Sequence, residues 1–234
     1  TSLKIDFEKI VFDSVVIGEA ASVIVQSREL VLRSFQSQDL VSLSVETLSM
    51  SGVVAKKHTF NVGPFLKQSN NGTVLSMKKV SIENSTFESR LEVDMRGDTV
   101  VDIETTTFKA GMSIATSLVC HSGPSSITLD DVSVLVPGNA TIQFVLGGDC
   151  VRNITLSNVH ISTPLNAPLE ILAVNIRLLN VTTTDKLRFD FPSGAQKSMT
   201  IDDSELNFLP IKQFADGFSA PHFTMSGSKI TCNG

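Results

Sequence analysis

Residues 127–134 (ITLDDVSV) and 154–161 (ITLSNVHI) share one pattern of eight positions: apolar, polar, apolar, any residue, a turn residue, small or apolar, any residue, apolar. The pattern returns at 176–183, 199–206 and 223–230. Earlier copies are read at 5–12, 43–50, 75–82 and 101–108, with a degraded one at 23–30 where Arg28 replaces an apolar residue. Alternation at the first three positions is the period-two signature of a half-buried strand. The fifth position reads Lys9, Thr47, Lys79, Thr105, Asp131, Asn158, Asn180, Asp203 and Gly227. In the last five copies it is Asp, Asn or Gly, residues that tolerate a left-handed backbone. Each unit is therefore expected to be a short strand, a tight corner (Asp131, Asn158, Asn180, Asp203 and Gly227 being the clearest), and a second short strand. Within the unit no two-residue loop reverses the chain as a hairpin would.

Successive clear copies lie 38, 32, 26, 26, 27, 22, 23 and 24 residues apart, and the weak copy divides the first interval into 18 and 20. Between copies runs a third apolar stretch, as at 142–146, 169–173 and 187–191. Three strands per coil of about 18–32 residues cannot bury an apolar face alone, so stacking on neighbouring coils must supply the core. These repeats, with an Asn-type corner between two short strands, resemble the right-handed parallel β-helix of the pectate-lyase-like superfamily. The resemblance implies an all-β chain, a right-handed parallel β-helix (β-solenoid) of about ten turns. It is read as a single domain over 1–234 with an irregular insertion at about 53–71. At about 4.8 Å per turn that makes a rod of roughly 45–50 Å. An antiparallel sandwich also spaces strands at 8–12 residues, but it has no reason to repeat a corner residue in one phase. The resemblance specifies architecture and not activity.

Composition narrows the function classes. The 234 residues carry 19 Lys+Arg against 24 Asp+Glu, a net charge of -5, with 41% hydrophobic and 18% charged residues. That balance excludes intrinsic disorder and a nucleic-acid binder working through a basic surface. No apolar run approaches the ~18 residues of a membrane span. There are 14 Phe but no Tyr or Trp, so the amphipathic aromatic platforms on which sugar rings usually stack are missing. No amphipathic helix flanks the repeats to cover unpaired strand edges. The ends are expected to continue in a longer chain, to stack on another copy, or to be covered by loops.

Cys120 and Cys150 are separated by 30 residues, close to one coil, which places them at similar phase on adjacent turns and makes them a disulfide candidate. Two small buried hydrophobes are the alternative. Cys232 falls in a different phase and is expected to be free or to join a neighbouring chain. Five sequons, at Asn71, Asn84, Asn139, Asn153 and Asn180, are glycosylation candidates. Together these features point to a secreted or cell-surface location.

Catalytic motifs are absent where the resemblance would put them. The superfamily's polygalacturonases carry Asn-Thr-Asp, Gly-His-Gly and Arg-Ile-Lys, and none is present. The pairs Asp130-Asp131 and Asp202-Asp203 share a phase but lie three turns apart, about 14 Å, too far for two carboxylates acting on one glycosidic bond. Arg188 near Pro192 resembles a lyase base, yet no acidic cluster accompanies it in phase. The stretch Asp94, Asp98, Asp102 and Glu104 reads as a solvated face, with a cation site as the sharper alternative. His58, His121, His160 and His222 share no metal-ligand spacing. Cys120-His121 would point to opposite faces of a strand. Thr128, Thr155, Thr200 and Thr224 form no paired Thr column of the kind that binds ice. No catalytic residue, metal or cofactor is assigned. The expected function is a non-catalytic extracellular structural or adhesive module: a filament subunit, or a segment of a larger surface glycoprotein. It would self-associate end to end or adjoin neighbouring domains, with glycans as further partners. A polysaccharide lyase or glycoside hydrolase of the same fold is the alternative.

Overall fold

The computed structural model describes residues 6–19, 22–69, 72–96, 98–116, 125–136, 144–148, 150–162, 169–192, 197–208 and 222–232. All regular structure among them is β-strand. The pairings are parallel, with one antiparallel exception between Phe60–Ser69 and Gly72–Ser76. The result is a long parallel sheet compatible with a β-solenoid, whose strands stack in three columns.

Apolar side chains fill each column at matching register. In the central column Ile10 pairs with Leu30, Leu30 with Leu48, Leu48 with Val80, Val80 with Val101 and Val101 with Ile127. Ile154, Ile176, Met199 and Phe223 continue the row. A preceding column stacks Leu43, Val62, Val93, Ile114 and Leu146. A following column stacks Ala55, Phe87, Phe108, Val134 and Ile161. Phe87 and Phe108 lie ring on ring at 5.2 Å, and Phe60 meets Phe87 edge-on at 5.6 Å. Such contacts add to the burial of these wholly enclosed rings.

The corner between the central and following columns has one conformation throughout. Ser14, Ser34, Gly52, Asn84, Thr105, Asp131, Asn158, Asn180, Asp203 and Gly227 all have φ between 45° and 65°. A left-handed residue turns the strand while keeping the first and third positions facing inward. It costs most residues about 1–2 kcal/mol, least for Gly, Asn and Asp. The interrupted ladder is repaired in two ways. The corner N–H donates to the carbonyl just before the corner of the next repeat, as from Asn158 to Leu179 and from Asn180 to Asp202. The hydroxyl just after the corner accepts from the previous repeat. Val53 N–H thus donates to Ser85 Oγ, Val181 N–H to Ser204 Oγ, and Ser204 N–H to Ser228 Oγ, at 3.0–3.1 Å.

The phase differs from the sequence reading in the first half of the chain. Lys9, Thr47 and Lys79 are not corners; Ser14, Gly52 and Asn84, five residues later in each case, are. The degraded copy at 23–30 is displaced further, its corner being Ser34. The strands Val23–Arg33 and Val41–Ser51 explain the slip. Each bends around two outward residues, Arg28-Glu29 and Glu46-Thr47, and carries inward residues on both sides of the bend, so two phases look alike. The segment 53–71, expected to be irregular, holds Val54–Ala55 and the long strand Phe60–Ser69. That strand leaves the parallel column after Pro64 and pairs with Gly72–Ser76, with Leu66 opposite Leu75. Asn71-Gly72 is the hairpin signal in the sequence at this point.

Replacing Asn158 by Val is expected to lower unfolding free energy by about 1–2 kcal/mol, the left-handed penalty for a branched side chain. Gly at the same position should cost distinctly less. Chemical denaturation of the two variants checks this, and equal losses would remove corner conformation as the cause.

Candidate functional site

Because each residue stacks on its counterpart one repeat away, outward-facing side chains form columns about 4.8 Å apart. The chemistry of the surface is the chemistry of those columns.

Two amide columns flank the central face in the second half of the chain. Asn180 Nδ2 donates to Asn158 Oδ1 at 2.8 Å, and Asn158 Nδ2 donates to Asp130 Oδ1 at 3.1 Å. On the other flank Asn175 Nδ2 donates to Asn153 Oδ1 at 2.9 Å, and Ser198 Oγ donates to Asn175 Oδ1 at 2.9 Å. An amide both donates and accepts, so it stacks on its own kind. Thr224 and Thr200 hydroxyls meet at 3.1 Å between these flanks.

In the first half the columns are ionic. Arg28 pairs with Glu8 at 3.2 Å, and Lys9 pairs with Glu29. Glu46 pairs with Lys78 and lies near enough to Arg28 to feel its charge. The hydrogen bond from Lys78 chiefly holds the Glu46 carboxyl below its ordinary value of 4.5, against desolvation that raises it. At exposed Glu19 a bond from Lys57 also lowers the carboxyl.

One column is unfavourable. Glu83, Glu104 and Asp130 occupy the same position in three successive repeats. Like charges directly opposite are destabilising. The neighbours in the expected acidic stretch do not join them: Asp94 pairs with Arg96 at 3.4 Å and Asp102 with Lys79 at 3.4 Å. Among the described residues no group of three His, Cys, Asp or Glu is placed to hold a metal ion.

Two concavities among the described residues are shallow and open. One of about 300 Å³ lies on the preceding column between Glu92, Asp94, Ser113 and Thr116. Another of about 200 Å³ is lined by Thr183, Glu205, Asn207 and Lys229. Asp130 and Asp202 are separated by Ser157 and Leu179, three steps of register. Arg188 is paired with Glu170 at 3.2 Å and Asp190 at 2.9 Å. His160 is exposed, and His58 faces Asp39 at 3.8 Å.

Of the sequon residues, Asn84, Asn153 and Asn180 are exposed, the first and third at corners; Asn71 and Asn139 lie outside the described residues. Cys150 is disulfide-bonded. Cys120, with His121, lies outside the described residues, as does the side chain of Cys232. No described helix is long and apolar enough to cross a membrane. Comparison with family models, with curated proteins and with solved structures finds no match.

Glu104→Lys sets a cation between Glu83 and Asp130 and is expected to stabilise the fold by roughly 0.5 kcal/mol at low salt. Thermal unfolding at two ionic strengths checks it, and a loss of stability at low salt would refute the repulsive column. The lowered Glu46 carboxyl contributes stability that is complete above its unfolded value of 4.5 and is lost as pH falls through the lower folded value. Glu46→Gln should therefore flatten the acid side of the stability profile below about pH 4.5 and leave its shape above pH 6 unchanged.

Proposed function

We propose that the chain forms a right-handed parallel β-helix of about ten turns and serves as a non-catalytic extracellular module. It acts as a rung of a filament or a segment of a larger surface glycoprotein. One observation carries this reading: the core columns reach the first and last described repeats with their apolar side chains half uncovered. Phe7, in register with buried Ser27, is 58% exposed; Phe223 and Met225, in register with buried Met199 and Ile201, are 50% and 49% exposed. Inward apolar residues half uncovered on the outermost described repeats support a module that lies against another surface, in a filament or in a larger glycoprotein.

Two features support an oxidising, secretory setting. Cys150 carries a disulfide, and such bonds persist mainly outside reducing compartments. Cys232 stands three repeats further along, about 14 Å, beyond the 4.4–6.8 Å a disulfide spans between Cα atoms. That distance supports Cys120 as the partner of Cys150. The sequons at Asn84, Asn153 and Asn180 are accessible for glycans, which would line the flanks and oppose side-to-side aggregation.

Electron microscopy of the purified protein tests the reading. Fibres with an axial repeat near 45–50 Å are expected. Depolymerisation of uronic-acid polymers by the same material would replace it with a catalytic function.

A further inference from the structure

Strands Leu91–Met95 and Val100–Phe108 are joined by the sequence Arg96-Gly97-Asp98-Thr99. Both strands are paired on either side, so the turn is carried mid-stack. Gly97 lies outside the described residues; the two charged residues and Thr99 lie within them. Thr99 is wholly buried and ties down the base of the turn. Its hydroxyl accepts from the Arg96 N–H at 3.1 Å and stands within donating distance of the Arg96 carbonyl and, at 3.0 Å, of the Met77 carbonyl. Asp98 is exposed, and among the described residues its carboxylate has no hydrogen bond or ion pair. Arg96 is held lightly. One terminal nitrogen donates to Asp94 at 3.4 Å, while Nε is buried without a partner. Swinging the guanidinium outward therefore gives up one long hydrogen bond and relieves an N–H whose unpaired burial is costly.

We infer that this turn docks a cell-surface receptor protein that takes the Asp98 carboxylate on a bound divalent cation and the Arg96 guanidinium on a carboxylate of its own. The inference rests on the adhesive, extracellular reading above and names the surface and the partner. The partner's chemistry follows from the two groups. A hard cation takes carboxylate oxygen, and a guanidinium takes a carboxylate in a bidentate pair. Asp98 does not supply the cation itself, because among the described residues no three His, Cys, Asp or Glu gather to hold one. The metal arrives with the partner. The Cα atoms of Arg96 and Asp98 are at most about 7 Å apart, so one receptor crevice spans both groups. Arg-Gly-Asp is the tripeptide that metal-dependent adhesion receptors read in this way, its glycine placing no side chain between the two charges. Pinning by Thr99 lowers the ordering cost that a free peptide of the same sequence incurs on binding.

Cells that attach to an immobilised Arg-Gly-Asp peptide are the probe. On the immobilised protein they are expected to attach in Mg²⁺, to detach in EDTA, and to be displaced by soluble Arg-Gly-Asp peptide but not by Arg-Gly-Glu peptide. Asp98→Glu keeps the charge and moves the carboxylate by one methylene, against the near-ideal octahedral geometry that Mg²⁺ demands. It should raise the coating concentration needed for half-maximal attachment by about tenfold or more, with circular dichroism and thermal unfolding unchanged. Arg96→Gln should weaken attachment in the same direction. Attachment that survives EDTA, the peptide and Asp98→Glu overturns the site and leaves an adhesive module acting through another surface. No attachment, by cells that do hold the immobilised peptide, overturns the site together with the adhesive reading and leaves the structural one.

Discussion

Parallel strands stacked about 4.8 Å apart oblige every residue to sit directly on its counterpart in the next repeat. Among the described residues only the hairpin after Pro64 steps out of that parallel stack. Inward, the stacking demands apolar residues at the same positions in every repeat. Outward, it converts the sequence into columns in which a side chain must be compatible with itself or with its complement. The core solves the inward problem with branched aliphatics and, in the third column, with stacked phenylalanines. The surface solves the outward problem in two ways, amide on amide in the second half and acid against base in the first.

The corner is where the constraint is hardest to meet. A left-handed residue breaks the regular ladder, and a break repeated along the whole stack would leave a line of unsatisfied amides. Corner amides reach the neighbouring carbonyl, and hydroxyls at Ser85, Ser204 and Ser228 accept what the backbone leaves over. Small hydroxyl residues beside the corner are thus part of the hydrogen-bond ladder, although in sequence they read only as small polar positions.

Legibility in the sequence follows from the same chemistry. From Thr105 onward the repeat was readable, because Asp131, Asn158, Asn180 and Asp203 announce their backbone conformation and each follows two cleanly alternating apolar residues. Before that it was not. Ser14 and Ser34 occupy the left-handed corner without belonging to the residue types that favour it, and bent strands such as Val41–Ser51 offer two inward runs of equal quality. The hairpin after Pro64 is signalled in the sequence only by Asn71-Gly72, which falls between two copies of the repeat. The surface columns were legible only in part: Glu46 with Lys78 falls on the 32-residue step of the repeat and Asn158 with Asn180 on the 22-residue step, whereas Glu83 with Glu104 needs a step of 21 residues where the repeat spacing is 26. No side chain in the sequence announces the half-uncovered Phe223 and Met225, since each is an ordinary core residue until the stack stops covering it.

The two kinds of outer column have different consequences for how such a chain lengthens or shortens over generations. Amide columns are indifferent to repeat number: remove the repeat bearing Asn158, and Asn180 meets Asp130 with its donor intact. The ionic column running through Glu8, Arg28, Glu46 and Lys78 alternates in sign. Loss of a single repeat there brings Glu8 against Glu46, whereas loss of two brings it against Lys78. Loss of one repeat in the first half therefore sets like charges opposite each other, while the amide columns of the second half keep a donor on an acceptor whatever the repeat number.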